Sequence, residues 1–192
     1  MNIALWLQRS ARVHADRPAI AHGDQVWASY AEFAERAART AAWLQAQGLG
    51  PGDRVALFMH NHPAYLPLLW GIWWAGAVAV PVNAKLHARE AAWIIDHSGS
   101  RVAFSDPELG GELAQAVPES ACRVVTAHGF LDALDGSLGE PAERGDDDPA
   151  WLFYTSGTTG RPKGVTLCAR QLRWCTLAYL ASVQPVEPGD VM

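Results

Sequence analysis

The sequence predicts an α/β fold in which a mostly parallel sheet is covered by helices on both faces. Short apolar runs recur along the chain, and stretches long enough to form helices separate them. Parallel strands need such crossover connections, and strands that are buried on both faces consist of continuous apolar runs. With 192 residues, the chain can enclose one domain with a sizeable core.

The first predicted elements are a helix and a hairpin. Residues 1–9 form a short amphipathic pattern, and they lack the basic region and the cleavage site of a secretory signal. Residues 19–21 and 26–28 flank Gly23-Asp24, a pattern typical of a hairpin. The absence of a secretory signal favours a cytoplasmic location.

The next element is a long amphipathic helix, predicted over residues 30–47. Ser29 and Glu32 have the spacing of a capping box, which satisfies backbone N–H groups at the start of a helix. Apolar residues recur three or four positions apart along this stretch, and Gly48 is typical of a helix end. The sequence therefore marks both ends of this helix.

Strands and helices then alternate. The predicted strands are 55–59, 77–80, 101–104, 122–126 and 151–154, and the predicted helices between them are 64–74, 88–97 and 108–116. Residues 63–82 are uncharged over a length that could span a bilayer, but Pro67, Gly71, Gly76 and Pro81 interrupt them. A helix, a turn and a buried strand explain this stretch better than a membrane span, and we expect its tryptophans, Trp70, Trp73 and Trp74, in the core.

Charge and cysteine content exclude several classes of protein. The net charge is −5 and the 15 basic residues are scattered, which argues against a nucleic-acid or anionic-membrane partner. Cys122, Cys168 and Cys175 are too few for a disulfide framework, and we expect buried free thiols. The acidic run 146–148 predicts part of a solvated connector over residues 136–149, in preference to a metal site.

His60-Asn61-His62 precedes the predicted helix at 64–74. Two imidazoles this close could be a metal pair, but no carboxylate or cysteine lies nearby in the sequence to complete a site. Capping of the following helix by Asn61 or His62 is the favoured interpretation.

Residues 154–165, Tyr-Thr-Ser-Gly-Thr-Thr-Gly-Arg-Pro-Lys-Gly-Val, carry the strongest functional signal. Backbone N–H groups and hydroxyls in a glycine-rich bend form a concave anion site, and a lysine adds a point charge that suits phosphate. The bend follows a buried strand, and open α/β sheets bind ligands at the carboxyl ends of their strands. The candidate polyphosphate-binding residues are Thr155, Ser156, Gly157, Thr158, Thr159, Gly160 and Lys163.

Two other interpretations of this loop are disfavoured. A Walker A loop needs a glycine before its lysine and a hydroxyl residue after it, whereas Pro162 and Gly164 flank Lys163. Residues 164–167 are predicted to be extended, whereas a Walker A loop continues into a helix. A simple solvated turn is also disfavoured, because an ordinary turn needs only one or two glycine or hydroxyl residues.

The loop resembles the phosphate-binding signature of the AMP-binding, adenylate-forming enzymes, which include acyl-CoA synthetases, aryl-CoA ligases, adenylation domains of peptide synthetases and luciferases. Residues 48–55, 73–83 and 89–102 also resemble the front of an acyl-CoA synthetase. One departure is Cys168-Ala169, where the family commonly has Thr-His or Ser-His. Cysteine is a weaker N-cap than serine or threonine, so we expect the junction between the loop and the next helix to be held less firmly.

The resemblance implies an ATP-dependent acid–thiol ligase. A carboxylic acid, with a medium- to long-chain fatty acid favoured, would form an acyl-adenylate and then acyl-CoA, using ATP, Mg²⁺ and coenzyme A. Residues 155–160 would contact the phosphates and Lys163 would be the catalytic countercharge. Gly160 and Gly164 would let the loop close over the nucleotide and reopen. No metal ligand is assigned.

The resemblance also implies an organisation. Residues 1–192 would be the front part of the N-terminal AMP-binding domain, with an α/β subdomain at 1–135 and the loop, its strand and the following strand and helix at 150–192. The adenine and ribose contacts, most of the acyl pocket and the C-terminal domain would lie elsewhere, so we expect the isolated chain to be inactive. The alternatives are a non-catalytic nucleotide-binding remnant and an adenylation domain that loads an amino or aryl acid onto a carrier protein.

Overall fold

The computed structural model describes residues 1–135, 138–155, 162–187 and 190. The helices are α1 (Ala4–Val13), α2 (Tyr30–Ala46), α3 (Tyr65–Trp74), α4 (Ala88–Ser98), α5 (Pro107–Ala116) and α6 (Ala169–Ser182), with a 3-10 turn at Leu131–Ala133. The strands are β1 (Pro18–His22), β2 (Gln25–Ser29), β3 (Arg54–Phe58), β4 (Val78–Pro81), β5 (Ser100–Ser105), β6 (Arg123–Thr126), β7 (Pro149–Thr155) and β8 (Lys163–Cys168). From α2 to β7, the observed bounds lie within two residues of the predicted ones.

Six strands form one sheet in the order β6-β5-β3-β4-β7-β8. The neighbours from β6 through β7 pair in parallel, and β8 pairs with β7 in the antiparallel direction. Strands β1 and β2 form a separate antiparallel ribbon, which is the predicted hairpin. The prediction of a mostly parallel sheet is confirmed.

Helices cover both faces of this sheet. Along β3, Val55 and Leu57 belong to one hydrophobic cluster with α1, α2 and α3, whereas Ala56 and Phe58 belong to a second cluster with α4 and α5. All four side chains are fully buried. Because successive side chains of a strand point to opposite faces, a continuous apolar run supplies both cores.

The helix pair α2 and α3 packs at unusually short range around Gly71. A Cβ atom added to Gly71 would lie 2.5 Å from Thr40 Cβ and 2.9 Å from the carbonyl oxygen of Ala37. Real Cβ atoms do not approach other atoms this closely. The missing side chain of Gly71 is therefore what allows the two backbones to meet.

The uncharged stretch forms a helix, a turn and a strand, as predicted. Gly76 has a φ of 76°, a left-handed conformation that glycine adopts without strain. Trp73 and Trp74 are buried, and their indole N–H groups donate to the carbonyl oxygens of Ala150 and Gly139, each at 2.8 Å. Trp70 is half-buried against the same cluster. Within the ranges that the structure describes, no helix is both long and apolar enough to cross a bilayer.

Residues 138–148, within the predicted connector, contain neither helix nor strand, yet several of them are bonded to the core. The N–H of Ala142 donates to the carbonyl oxygen of Trp74 at 2.8 Å, and the Asn2 side chain donates to the carbonyl oxygen of Ala142 at 2.9 Å. This stretch is thereby attached to α1 and α3.

The acidic run pairs with the first turns of α6. Asp146 accepts from Arg173 at 2.7 Å, Asp147 pairs with Arg170, and the carbonyl oxygen of Asp148 accepts from the N–H of Ala169. Hydrogen bonds from the N-terminal amine and from Arg173 lower the pKa of Asp146 to about 2. These contacts join the acidic run to the start of α6.

The three cysteines are free thiols, but they are not all buried as expected. Cys122 is buried, and burial raises its pKa to about 12. Cys168 is half-buried and Cys175 is exposed. The expectation is wrong for Cys175 because α6 packs on the sheet only through its first turns.

Candidate functional site

The predicted phosphate loop connects β7 to β8. Thr155 is the last residue of β7 and Lys163 the first of β8, and the two are register partners across the antiparallel pair. Both residues are exposed. The predicted contacts Ser156, Gly157, Thr158, Thr159 and Gly160 lie outside the described residues. The two described ends of the loop therefore stand side by side.

This hairpin lies at the carboxyl edge of the sheet. Strand β7 is parallel to β4, and the successive pairs β4–β3, β3–β5 and β5–β6 are also parallel, so all five strands end at one edge. Ligands of open α/β sheets bind outside this edge. Lys163 has no carboxylate partner within ion-pair distance among residues 1–135, 138–155, 162–187 and 190, so its charge is not neutralised there.

Tyr154 anchors the strand just before the loop. Its hydroxyl is hydrogen-bonded to His97 Nδ1 at 2.7 Å, and burial raises the pKa of this phenol above its ordinary value. Trp93 stacks on His97 with ring centroids 4.8 Å apart and meets the Tyr154 ring edge-on at 6.3 Å. Helix α4 thus holds the residue immediately before Thr155.

Gly164 has a packing role on the other side of the hairpin. It is the register partner of Tyr154, and an added Cβ would lie 3.3 Å from Tyr154 Cζ and 3.2 Å from Leu152 Cδ1. It lies in β8 and does not have a positive φ. An added Cβ would therefore require Leu152 or Tyr154 to shift by a few tenths of an ångström, a packing constraint distinct from the bending that the sequence predicts.

The junction from β8 into α6 is capped from inside the helix. The side-chain oxygen of Gln171 accepts a hydrogen bond from the backbone N–H of Cys168 at 2.8 Å. A glutamine at this position is the return half of a capping box. This hydrogen bond partly compensates for the weak N-cap that Cys168 provides.

A second polar cluster lies at the same edge of the sheet, beyond β3, β5 and β6. Asp106, which is 4% exposed, accepts hydrogen bonds from the backbone N–H groups of His60 and Leu109 and contacts His60 Nδ1 at 2.7 Å. Burial acts to raise the pKa of Asp106, but these hydrogen bonds together hold it below its ordinary value. The carboxylate joins the end of β3 to the start of α5.

His62 accepts a hydrogen bond in the turn before α3, but the predicted cap is not confirmed, because the N-cap residue of this helix is Ala64 and no side chain caps it. Its Nδ1 accepts from the backbone N–H of Ala64 at 3.1 Å. Its ring lies 4.2 Å from the ring of His128 and 6.3 Å from that of His22. Burial lowers the pKa of His62, and repulsion by His128 and His22 lowers it further, against a small opposing effect of Asp106.

We predict that acid weakens the fold through His62. Its pKa in the folded chain lies below the ordinary value of 6.5, so the unfolded chain binds more protons as the pH falls. The His62 contribution is complete above pH 6.5 and is lost as the pH falls from there through the folded pKa. Urea unfolding at pH 7.5 and 5.5 should show this loss. His62→Asn, which keeps an acceptor that does not titrate, should reduce it.

The control for this prediction is His14→Asn, because His14 is exposed at the end of α1. This variant should keep the pH dependence of the parent. Equal pH dependence of His62→Asn and the parent would show that the pKa of His62 is not lowered as described.

The sequence did not indicate the residues that support the loop. His97 and Trp93 lie more than fifty residues before Tyr154, and their only local pattern is that of an amphipathic helix. Asp106 had a signal as the N-cap of α5, where it precedes Pro107, but none for its contact with His60.

The sequence model of one family, described as AMP-binding enzyme, matches residues 7–192. The chain belongs to this family. It is 42% identical over 171 residues to a feruloyl-CoA synthase of Amycolatopsis sp, which covers 88% of this chain and 34% of that protein. It is 38% identical over 172 residues to the long-chain-fatty-acid–CoA ligase FadD13 of Mycobacterium tuberculosis, with 85% and 34% covered.

Solved structures of the family have the same fold. The inhibitor-bound N-terminal domain of FACL13 from Mycobacterium tuberculosis superposes with a TM-score of 0.86 at 32% identity, covering 98% of this chain and 49% of that one. The N-terminal subdomain of NpsA from Klebsiella oxytoca, solved with 3-hydroxyanthranilyl-AMSN, gives a TM-score of 0.73 at 28% identity, with 88% and 41% covered. This AMP-binding chain thus spans about a third of the length of the first curated relatives and half of the FACL13 domain.

Proposed function

We propose that the protein to which this chain belongs activates a carboxylic acid with ATP and transfers the acyl group to coenzyme A. A carboxylate oxygen attacks the α-phosphorus of ATP, the bond to the bridging oxygen breaks, and pyrophosphate leaves. The thiol sulfur of coenzyme A then attacks the acyl carbon and AMP leaves. The relatives named as CoA ligases support this reaction.

One structural observation carries the proposal. Thr155 at the end of β7 and Lys163 at the start of β8 are register partners at the carboxyl edge of the sheet. The sequence between them is rich in hydroxyl residues and glycines. An exposed lysine and backbone N–H groups at this edge suit the negative charge that collects on a departing pyrophosphate. A dinucleotide fold would instead have a helix after the glycine-rich turn.

The roles follow from this arrangement. We assign Thr155, Ser156, Gly157, Thr158, Thr159 and Gly160 to the β- and γ-phosphates, with Lys163 as their countercharge. Mg²⁺ would neutralise the phosphates of the nucleotide when bound. The described residues contain no group of three or more His, Cys, Asp or Glu side chains arranged to hold a metal ion, so the proposal gives the metal no ligand from them.

Two classes of acid are candidates for the substrate. Relatives named as long-chain-fatty-acid–CoA ligases support a medium- to long-chain fatty acid. The higher identity to a feruloyl-CoA synthase supports an aryl acid. A cytoplasmic location, where ATP and coenzyme A are available, is part of this proposal.

The test is a panel of acids with the complete protein. Fatty acids of increasing chain length, ferulate, 2-succinylbenzoate and an amino acid would each be assayed for acid-dependent pyrophosphate release. The thioester with coenzyme A would be identified by mass. We expect one class to give both signals. ATP binding without pyrophosphate release from any acid would favour the non-catalytic remnant, and an adenylate that coenzyme A does not discharge would favour an adenylation domain.

A further inference from the structure

The end of β7 extends beyond its pairing with the parallel part of the sheet. Strand β7 pairs with β4 at Trp151, opposite Ala79, and among the described strands its residues 152–155 have register partners on β8 alone. A two-stranded ribbon is only marginally stable by itself. A side-chain contact that ties this ribbon to the body of the fold therefore steadies both ends of the loop, Thr155 and Lys163.

Tyr154 supplies such a contact. Its hydroxyl and His97 Nδ1 lie 2.7 Å apart, and its ring packs, as Trp93 does, against the second hydrophobic cluster. His97 is itself stacked on Trp93, which lies one turn earlier on α4, with 23° between the ring planes. This stacking limits rotation of the imidazole and keeps its Nδ1 directed at the phenol.

Helix α4 is a firm base for this contact. Ile94 and Ile95 are buried in the second cluster. The guanidinium of Arg54, on β3, donates to the carbonyl oxygen of Ser98 at 2.9 Å and to that of Gly99 at 3.3 Å. The turn of α4 that carries the imidazole is therefore fixed to the centre of the sheet.

Tyr154 adjoins both ends of the loop. It precedes Thr155 in the chain, and across the ribbon it is the register partner of Gly164, which follows Lys163. Its ring lies against Gly164, where an added Cβ would be 3.3 Å from Tyr154 Cζ. On the basis of the proposed function of this loop, we propose that His97 is a positioning residue: through Tyr154, it holds the two ends of the loop in the arrangement that receives the phosphates of ATP.

The kinetic consequence concerns the binding of ATP. A loop whose ends are held before ATP arrives loses less conformational entropy on binding than a loop that the nucleotide must order. Loss of the His97 contact adds the same cost to the bound ground state and to the transition state. The KM for ATP should therefore rise while kcat stays nearly unchanged.

The first measurement needs neither an acid nor turnover. Within these 192 residues the lysines are Lys85 and Lys163, so a lysine-specific protease can cut this part of the complete protein only after them. Cleavage after Lys163 requires local opening of the ribbon, and cleavage after Lys85, which is exposed between β4 and α4, is the internal reference. Without ATP, His97→Leu and Tyr154→Phe should each raise the ratio of the two rates about three- to tenfold, the effect of one hydrogen bond on an equilibrium constant.

The second measurement is the KM for ATP in acid-dependent pyrophosphate exchange, with the same variants of the complete protein. We expect a rise of about three- to tenfold in His97→Leu and in Tyr154→Phe, with kcat within about twofold of the parent. The double variant should be no worse than either single variant, because both substitutions remove the same hydrogen bond.

Matched variants separate positioning from a general loss of stability. His97→Asn keeps a hydrogen-bonding atom near the place of Nδ1 and should restore most of the parent behaviour. Asp96→Leu, at an exposed position in the same turn of α4, should change neither the cleavage ratio nor the KM for ATP.

An unchanged cleavage ratio in His97→Leu would overturn the proposal. So would faster cleavage at both lysines alike, effects of the single variants that multiply in the double variant, or a lower kcat with an unchanged KM for ATP. If no acid gives pyrophosphate exchange but the cleavage ratios change as expected, the proposed reaction fails and the positioning of the loop by His97 stands. Exchange with unchanged cleavage ratios would have the opposite meaning.

Discussion

Replacement of Lys163 by alanine in the complete protein is expected to lower acid-dependent pyrophosphate exchange at least about tenfold, or roughly 1.4 kcal/mol of transition-state stabilisation. The lysine is exposed at the first position of β8, directly opposite Thr155. Its removal disturbs no packing, so the thermal midpoint should stay within a degree or two. A loss of exchange without a loss of stability would assign the effect to the phosphates. Thr158→Ala should act in the same direction.

The control is Arg12→Ala, which removes one positive charge from an exposed side chain of α1, a helix that packs against α2 and α3. Its exchange rate should equal that of the parent protein. An unchanged rate in Lys163→Ala would remove this lysine from the mechanism. A similar fall in both variants would indicate a general effect of net charge.

Replacement of Gly71 by alanine is expected to destabilise the fold by about 2 kcal/mol or more. The new Cβ would lie 2.5 Å from Thr40 Cβ and 2.9 Å from the carbonyl oxygen of Ala37, so α2 and α3 must separate. Alanine has the higher helix propensity, which offsets only about 1 kcal/mol of this cost. Urea unfolding followed by tryptophan fluorescence would measure the change in free energy.

Gly111 provides the matched control for this substitution. It also lies within a helix, α5, but it is exposed and a Cβ added there meets nothing within 4 Å. Gly111→Ala should therefore stabilise the chain, by about 0.5 to 1 kcal/mol. A Gly71→Ala variant as stable as the parent would contradict the close approach of α2 and α3.

Structural features that depend on a few neighbouring residues could be predicted from the sequence. The structure confirms the capping box that the sequence predicts. The Glu32 side chain accepts from the N–H of Ser29, and the Ser29 side chain accepts from the N–H of Glu32. The alternation of strands and helices likewise gave the parallel sheet, because each apolar run of four to seven residues had helix-forming neighbours. The flanks of the candidate site, Thr155 and Lys163, were identified from the motif before their pairing was known.

Contacts between distant segments were not predictable from these patterns. Nothing near His62 in the sequence indicates that it is partly buried with its ring 4.2 Å from that of His128, and nothing near His97 indicates its hydrogen bond with Tyr154. The exposure of Cys175 also depends on which parts of α6 find a surface to pack against.

For this protein, chain order alone predicted the class of fold and the extent of most helices and strands, which the structure shares, and it supplied the proposed polyphosphate-binding residues. Those features depend on hydrophobic periodicity, capping and glycine chemistry, all of which act between near neighbours. The contact of α4 with Tyr154, the contacts of His62 with His128 and His22, and the close approach at Gly71 came from folding in three dimensions. They join residues far apart in the chain, and side chains meet at such distances only once the sheet has set the positions of its helices.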